Sequence, residues 1–371
     1  MKKQYTAEAV AAGHPDKIAD QIADKIVDAC LEKDPFSRVA VDALVTKNKI
    51  VLAGEITCQV SINYEKIARQ TIKELGYVDP DWQFSNESPF ECYIHQQSPE
   101  IALGVDIDGA GDQGVMYGFA CRETAELMPL PSMLAQELVK KMDQIREKKI
   151  LDFLRPDGKS QVVIDYEGDQ PIRVSTIILA VPHQPAIKRS QLEANLWELV
   201  VSPTIKKYFP KLIIKKEEIK FIVNGTGVWH LGGPASDTGL TGRKIMVDTY
   251  GGLVRHGGGC FSGKDATKVD RSGAYGARFL AKNIVAHGLA DRCEVRVGYA
   301  IGYKEPVIFD IETFGTNKIG LENIKKYAIN LLDMSVKNII EKLDLRQPVF
   351  ARTARYGHFG RGEFSWEKVV K

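Results

Sequence analysis

The sequence lacks any long hydrophobic run. Its longest purely aliphatic stretch, residues 177–181, is far shorter than the roughly 20 apolar residues that a membrane helix requires. The first residues, Met-Lys-Lys-Gln-Tyr-Thr-Ala-Glu, also lack the apolar segment of a signal peptide. We therefore expect a cytoplasmic protein that does not bind a membrane.

Paired cysteines and net charge are also missing. Six cysteines, at positions 30, 58, 92, 121, 260 and 293, include no C-x-x-C pair and no spacing typical of zinc ligands. We predict that they are reduced thiols in the core. A formal charge of +2, from 50 basic and 48 acidic residues, gives no general attraction for nucleic acid. Any anion-binding site must therefore be local.

A chain of 371 residues with 44% hydrophobic and 26% charged residues is long enough for two or three globular domains. Three stretches share the order helix, two alternating strands, helix. We predict them over residues 15–32, 38–46, 50–60 and 64–75; over 132–149, 161–166, 172–181 and a helix capped by Ser190 and Glu193; and over 268–287, 294–300, 307–314 and 321–332. Three α+β modules are the simplest interpretation.

Glycine and basic side chains concentrate between residues 237 and 282. Glycine lets a backbone approach a ligand and cations neutralise it, so phosphate is the natural candidate. Residues 257–265 read Gly-Gly-Gly-Cys-Phe-Ser-Gly-Lys-Asp, and positions 258–265 nearly fit the phosphate loop G-x-x-x-x-G-K-[ST]. Asp265 replaces the magnesium-binding hydroxyl, however, and Val-Arg-His-Gly precedes the loop instead of an apolar strand. Both features disfavour a P-loop.

The same segment places Lys264 and Lys268 four residues apart, with Asp265 and Asp270 interleaved, at the predicted start of a helix. Two ammonium groups and two carboxylates could bind phosphates and a metal together. A solvated helix start would explain the pattern equally well.

A second cluster, Gly13-His14-Pro15-Asp16-Lys17, precedes the first predicted helix, with proline where a helix start tolerates it. Helix N-termini bind phosphate, and His14 can donate a hydrogen bond to it. Asp16 would be a hard oxygen ligand for magnesium. A simple helix cap is the alternative.

Two further glycine-rich segments carry charges. Residues 109–114, Gly-Ala-Gly-Asp-Gln-Gly, form a turn before a predicted strand at 115–120, and Asp112 is ambiguous by sequence alone. Residues 237–244, Asp-Thr-Gly-Leu-Thr-Gly-Arg-Lys, place Arg243 and Lys244 before a predicted strand at 245–249. The paired cations favour an anion site over an exposed turn.

Together and in this order, the four clusters resemble the signatures of S-adenosylmethionine synthetases. The resemblance runs from residue 6 to residue 368 and includes Val-Asp-Thr-Tyr-Gly-Gly at 247–252 and Tyr-Gly-His-Phe-Gly at 356–360. It implies three similar α+β domains with approximate threefold pseudosymmetry. We place them at 1–99, 111–230 and 232–369, with the compact units interleaved along the chain. It also implies a homodimer or homotetramer with active sites between subunits.

The implied activity is that of a methionine adenosyltransferase. Methionine sulfur attacks C5′ of ATP and expels tripolyphosphate, which is then hydrolysed to pyrophosphate and phosphate. A thioether has no proton to lose, so the first step needs no general base. Two other functions stay open: a P-loop-like ATPase or kinase, which would release ADP without methionine, and a nucleotide-binding regulatory protein, which would bind without turnover.

The resemblance also assigns roles to individual residues. Catalytic roles fall on His14, Lys159, Arg243 and Lys264; ATP contacts on His14, Asp157, Lys159, Trp229, Asp237, Arg243, Lys244, Cys260 and Lys264; methionine contacts on Glu55, Gln97, Asp112, Asp237 and Lys268. Asp16 and Asp270 would bind two Mg²⁺ ions, and Asp42 would bind one K⁺ ion.

The sequence departs from the family pattern at three places. Asp42 stands where a glutamate is usual, and a four-residue hairpin loop would pair Thr46 with Val51 and set Asp42 opposite Glu55. Val228 and Trp229 replace an arginine and a phenylalanine, so we expect adenine stacking to survive and the arginine contact to be lost. The loop 98–108 is short, and a gating role for it is a hypothesis.

Overall fold

The structure, a computed structural model, describes residues 2–96, 109–210 and 215–371. The predicted methionine contact Gln97 and the loop 98–108 lie outside the described residues. In chain order the strands are β1 (Lys2–Val10), β2 (Arg38–Thr46), β3 (Lys49–Thr57), β4 (Phe90–His95), β5 (Gly114–Cys121), β6 (Lys159–Glu167), β7 (Gln170–Ala180), β8 (Lys220–Val223), β9 (Gly239–Leu240), β10 (Arg292–Tyr299) and β11 (Ile308–Glu312).

The helices of the described residues follow in chain order. They are α1 (Pro15–Lys33), α2 (Tyr64–Glu74), α3 (Leu130–Glu147), α4 (Arg189–Leu196), α5 (Ser202–Tyr208), α6 (Ile245–Asp248), α7 (Val269–Ala286), α8 (Leu321–Leu331) and α9 (Val336–Lys342). A π-helical segment, Trp197–Val201, joins α4 to α5. No helix in the described part of the chain is both long and apolar enough to span a bilayer.

The strands form three sheets, in the orders β1-β6-β7-β8, β4-β3-β2-β9 and β11-β10-β5. Neighbouring strands are antiparallel except for the parallel pairs β3–β4 and β7–β8. Each sheet joins strands that are far apart in sequence: β1 pairs with β6, β5 with β10 and β9 with β2. Because Val10 pairs with Lys159, the residues after β1 lie beside the start of β6.

Each sheet buries one face under helices, which produces two hydrophobic cores. The larger core joins α1, which packs on β2 and α2, to α7, which packs on β5 and β10. The second core lies between α3 and the strands β1 and β6. In α1, Ile18, Ile22 and Ile26 face the core at helical spacing and are completely buried. Gly118 lets β5 approach α7 so closely that a Cβ there would lie 2.0 Å from the carbonyl carbon of Ala277.

The predicted α+β class is confirmed, and so is the order helix, two strands, helix in all three stretches. The expected strand at 245–249 is wrong, because this segment forms α6. Val247 and Asp248 are adjacent and both buried, a pattern that the alternation of a half-exposed strand does not produce.

The capping box at Ser190 and Glu193 is also wrong. α4 begins two residues earlier, with Lys188 instead of Ser190 as its N-cap residue, and no side chain caps it. The carboxylate of Glu193 instead accepts a hydrogen bond from Arg189 Nε at 2.9 Å. An i,i+4 ion pair has therefore replaced the reciprocal cap.

Two smaller predictions need correction. Thr46 pairs with Lys49 across a two-residue loop that contains Asn48 with φ of 49°, so Asp42 lies opposite Ala53. A shift of two residues keeps the same face of the sheet, and Asp42 and Glu55 remain diagonal neighbours there. All six cysteines are free, but only three of them are buried: Cys58 and Cys260 are partly buried, and Cys92, on the edge strand β4, is exposed.

Candidate functional site

His14 is the N-cap residue of α1 and is almost completely buried, with 1% of its surface exposed. Its Nδ1 accepts a hydrogen bond from the backbone N–H of Asp16 at 3.2 Å. Burial, followed by the charges of Lys244 and Lys159, lowers the pKa of His14 to about 3. The ring is therefore neutral near pH 7, with its proton on Nε2. His14 thus offers an N–H donor beside a helix N-terminus, where backbone dipoles favour anions.

Asp16 brings two of the predicted cations to the same helix end. Lys244 Nζ donates to one carboxylate oxygen, the backbone N–H of Leu240 donates to the other at 2.9 Å, and Arg243 Nε lies 3.9 Å away. Burial opposes ionisation of Asp16, but the hydrogen bonds from Lys244 and Leu240 outweigh it and lower its pKa. Because β9 pairs with β2, the segment that contains Arg243 and Lys244 lies beside α1.

Lys159 and Asp157 approach His14 from the start of β6. Lys159 is exposed, and its charge is one of those that lower the pKa of His14. Asp157 is buried and accepts hydrogen bonds from the backbone N–H groups of Gly158 at 2.7 Å and Gly233 at 2.8 Å. Burial raises the pKa of Asp157 to about 6. In the structure, Asp157 therefore fixes the turn at Gly233.

Trp229 and Asp237 flank that turn. The Trp229 ring is partly buried, and its Nε1 donates to the carbonyl oxygen of Leu231 at 2.9 Å. Asp237 is exposed, and its backbone N–H donates to the carbonyl oxygen of Gly233 at 3.1 Å. Val228, at the position of the lost arginine, is 65% exposed.

Lys264 and Asp270 form a second charged group at the start of α7. Lys264 Nζ lies 2.5 Å from Asp270 Oδ2, and the backbone N–H of Gly259 donates to Asp270 Oδ1 at 2.8 Å. Burial alone would lower the pKa of Lys264, but the Asp270 carboxylate outweighs it and raises that pKa. The lysine is therefore a permanent cation, held at the beginning of a helix as the sequence predicted.

Close backbone contacts connect the two groups. A Cβ at Gly242, which has φ of 80°, would lie 2.5 Å from the Cβ of Cys260, so the segment around Arg243 packs directly on the 257–265 loop. Burial raises the pKa of the Cys260 thiol to about 11, which leaves it neutral. The 257–265 loop also packs on β5, because a Cβ at Gly257 would lie 2.1 Å from the carbonyl oxygen of Val115.

The predicted methionine contacts lie farther apart than the predicted phosphate contacts. Asp112 is exposed, and its turn ends at Gly114, where a Cβ would lie 4.0 Å from Asp270 Oδ1. Lys268 Nζ lies 2.5 Å from the buried Asp265, whose other partners include the backbone N–H of Val39 at 2.7 Å. In this structure Lys268 is thus engaged by its neighbour.

Glu55 and Asp42 lie on the same face of the β2–β3 hairpin. Burial raises the pKa of Asp42, Lys264 opposes this shift and Glu55 adds to it. Asp42 therefore lies within electrostatic reach of both a carboxylate and the Lys264 ammonium group. Glu55 in turn faces His95 Nε2 at 3.4 Å.

A row of buried carboxylates on α1 was not predicted. Its members are Asp16, Asp20, Asp24 and Asp28, each four residues from the next and so on one face of the helix. They accept backbone N–H groups from Leu240, Gly242, Gly263, and both Phe350 and Ala351, respectively. The helix thus holds the two basic loops next to each other. The spacing of four is visible in the sequence and could have revealed this face.

Within the described ranges, no three His, Cys, Asp or Glu side chains are grouped as a complete metal site. Asp16 and Asp270 nevertheless fit Mg²⁺, because each is a hard oxygen ligand that holds a lysine ammonium group in this structure. Mg²⁺ takes one or two carboxylates and completes its shell with water and substrate phosphates. Isolated carboxylates beside cations are therefore the donor set that a metal–polyphosphate complex requires.

The fold and this arrangement define a class: an α+β protein whose described residues form three sheets and in which distant segments bring several cations together. Models of the N-terminal, central and C-terminal domains of S-adenosylmethionine synthetase match residues 2–99, 107–229 and 231–368. The chain belongs to the S-adenosylmethionine synthetase family.

Full-length relatives agree with this assignment. The chain is 48% identical to the S-adenosylmethionine synthase of Pseudothermotoga lettingae, over 100% of this chain and 97% of that protein. It is 46% identical to the synthase of Desulforudis audaxviator, with the same coverage. Identity to the synthase of Sorangium cellulosum is 49%, over 99% of this chain and 87% of that protein.

Proposed function

We propose that this chain transfers the adenosyl group of ATP to the sulfur of methionine and then hydrolyses the displaced tripolyphosphate to pyrophosphate and phosphate. The family supplies the reaction, a methionine adenosyltransferase reaction. The observation that carries its assignment to these residues is the meeting of His14, Asp16 and Lys244 at one helix N-terminus. Among the residues that the structure describes, no feature of the site favours the P-loop ATPase or the regulatory protein over this activity.

The leaving group dominates the chemistry of the first step. When C5′ separates from the triphosphate, negative charge develops on the bridging oxygen, and a positioned N–H donor stabilises it. Neutral His14 can donate from Nε2, since its Nδ1 is occupied by the backbone N–H of Asp16. Lys159, Arg243, Lys244 and Lys264 would hold the phosphates. Because each charge-assisted hydrogen bond contributes about 1.5 to 3 kcal/mol, several must act together.

The remaining nucleotide contacts would come from the turn that follows β8. Trp229 offers a partly buried ring for stacking on adenine, and Asp237 an exposed carboxylate. Asp157 reaches the same turn through its bond to Gly233. Cys260 lies on the 257–265 loop where the Arg243 segment packs on it, and its neutral thiol could contact the phosphates only weakly.

Methionine would lie beside the acidic positions Glu55 and Asp112, which can orient its ammonium group, with Gln97, Asp237 and Lys268 as further contacts. Lys268 would have to exchange its bond to Asp265 for the substrate. Methionine has both charges of an amino acid, so acids and a lysine are suitable partners.

Enzymes of this family use a divalent metal ion. Two Mg²⁺ ions held by Asp16 and Asp270 would neutralise triphosphate charge. We assign one K⁺ ion to Asp42, whose diagonal neighbour Glu55 adds negative charge to that face of the hairpin.

We further propose that the chain works in the cytoplasm as a homodimer or homotetramer, with domains at 1–99, 111–230 and 232–369 and sites completed by a second subunit. The exposure of Arg243, Asp112 and Asp237 supports shared sites, because catalytic groups on an open surface need a second wall to exclude water. Mixed oligomers of His14→Asn and Lys264→Met subunits test this. Recovery of part of the activity on mixing would support sites to which one subunit contributes His14 and the other Lys264, and no recovery would refute that division.

The function itself is tested by incubating the protein with ATP, methionine, Mg²⁺ and K⁺ and separating the products by chromatography. We expect a sulfonium product that requires methionine. ADP, or no sulfonium product, would refute the assignment. Lys264→Met should abolish most of the activity. As a control, Lys207→Met removes another lysine–carboxylate pair, between Lys207 on α5 and Glu137 on α3 at 2.9 Å, and should leave the activity unchanged.

A further inference from the structure

A buried ion pair lies directly beneath the 257–265 loop. Arg271, on α7, and Asp24, on α1, both have fully buried side chains. Arg271 Nη1 donates to Asp24 Oδ1 at 2.9 Å and Nη2 donates to Oδ2 at 2.6 Å, so the guanidinium and the carboxylate meet as two parallel bonds. This geometry permits one orientation of each group.

The same two side chains hold the backbone on which Lys264 is carried. Asp24 Oδ1 also accepts the backbone N–H of Gly263 at 2.9 Å, and Arg271 Nη1 also donates to the carbonyl oxygen of Lys264 at 2.7 Å. The carbonyl oxygen of Gly263 is bonded to the N–H of Val41 at 2.9 Å. The backbone under the Lys264 side chain is therefore fixed from α1, α7 and β2 together.

The surroundings prevent the guanidinium from turning. Its plane lies over the Phe350 ring, 4.2 Å from the ring centre, and Nε donates to the hydroxyl of Tyr275 at 3.2 Å. A buried ion pair is often no better for stability than a hydrophobic pair of the same volume. Stability alone is therefore a poor reason for two charges here, and the bonds to the Lys264 loop supply a better one.

We propose that Asp24 and Arg271 are positioning residues for the reaction: they act through the backbone of residues 263 and 264 and set where the Lys264 ammonium group meets the triphosphate. The pair touches no substrate itself. This inference rests on the proposed role of Lys264 as a triphosphate contact.

The chain provides a matched control on the same helix. Arg278, seven residues after Arg271, is also fully buried and binds both oxygens of the buried Glu367, at 2.8 and 2.9 Å. Its Nη1 donates to a backbone carbonyl oxygen too, that of Phe119 at 2.6 Å. The two arginines differ mainly in what they hold, because Arg278 fixes the carboxyl-terminal segment and β5 instead of the Lys264 loop.

The test compares Arg271→Lys with Arg278→Lys. Lysine keeps the charge opposite the carboxylate but lacks the planar fork that reaches the carboxylate and the carbonyl oxygen together. We expect Arg271→Lys to lower kcat for sulfonium formation on the order of a hundredfold, as small misplacements of catalytic groups do, with KM for methionine unchanged. Arg278→Lys should keep kcat near that of the parent, although thermal unfolding shows a similar loss of stability. All rates are measured well below the unfolding temperatures.

A second pair covers the case in which Arg271→Lys does not fold. Asp24→Asn keeps an acceptor for the Gly263 N–H and loses the charge, and Glu367→Gln is its control. The same contrast in kcat is expected. The positioning role would be overturned if each variant lost as much kcat as its control, that is, Arg271→Lys as much as Arg278→Lys and Asp24→Asn as much as Glu367→Gln. It would also be overturned if Arg271→Lys and Asp24→Asn both kept the kcat of the parent.

Lys264→Met distinguishes failure of the positioning role from failure of the proposed role of Lys264. If Lys264→Met is inactive while Arg271→Lys has normal kcat, the positioning role is wrong and the proposed function stands. If Lys264→Met has a normal kcat, Lys264 is not a triphosphate contact, and the positioning role is wrong as well.

Discussion

Replacing His14 by asparagine separates the helix cap that the structure shows from the leaving-group contact that we propose. The asparagine Oδ1 can take the place of Nδ1 and accept the backbone N–H of Asp16, because asparagine is among the best N-cap residues. The Nε2–H donor, in contrast, is lost. His14→Asn therefore keeps the start of α1 and removes the hydrogen bond to the leaving oxygen.

The size of the effect follows from that one bond. A hydrogen bond to a charged group contributes about 1.5 to 3 kcal/mol, and about 1.4 kcal/mol is tenfold in rate, so kcat should fall about 10- to 150-fold. His14→Ala should lose as much rate and, in addition, about 1 kcal/mol of unfolding free energy through the missing cap. Since the pKa of His14 is about 3, the rate of the parent should show no inflection from this ring near neutral pH.

Single-turnover formation of the sulfonium product, with urea unfolding of each variant, measures both effects. A His14→Asn rate close to that of the parent would remove His14 from the mechanism. Equal stabilities of His14→Asn and His14→Ala would show that the Nδ1 contact does not cap the helix.

Three further predictions concern other parts of the molecule. Asp16→Asn should raise the Mg²⁺ concentration for half-maximal activity by at least about tenfold, a loss that even outer-shell changes cause, and a metal titration checks this. Gly118→Ala should lower the unfolding free energy in urea by about 3 kcal/mol, because its Cβ meets the α7 backbone, whereas Gly168→Ala, at an open turn with φ of 63°, should cost about 1 kcal/mol. Burial raises the pKa of Asp157 to about 6, so the folded chain binds a proton that the unfolded chain has lost between about pH 4 and 6. The stability that this group contributes is therefore lost as the pH rises through that window. The unfolding free energy of Asp157→Asn should lack this pH dependence. If the variant shows the same pH dependence as the parent, the raised pKa of Asp157 is wrong.

Local patterns in the sequence predicted most of the order of helices and strands. Ile18, Ile22 and Ile26 predicted the buried face of α1, and Pro15 marked its first turn, because a helix with one apolar stripe has few alternatives. The same patterns failed at 245–249, where β-branched residues suggested a strand. Burial of Asp248 against Lys17, 2.5 Å away and far off in sequence, decided that segment instead.

Site geometry was less accessible to sequence reasoning. Glycine and charge identified the basic loops, but nothing local showed that Gly242 packs on Cys260 or that Lys264 rests on an ion pair between α1 and α7. The ion pair joins residues 247 positions apart, and such a contact depends on the packing of the whole chain. The row of acids on α1 was readable as a spacing of four, although the loops that it binds were not.

The phosphorus products of one turnover test the central claim most directly. ³¹P NMR of the reaction, with sulfonium product measured in the same sample, should show one pyrophosphate and one phosphate for each sulfonium formed, and no ADP. Accumulation of ADP, or phosphate release that does not depend on methionine, would contradict a site built to hold the whole triphosphate as a leaving group.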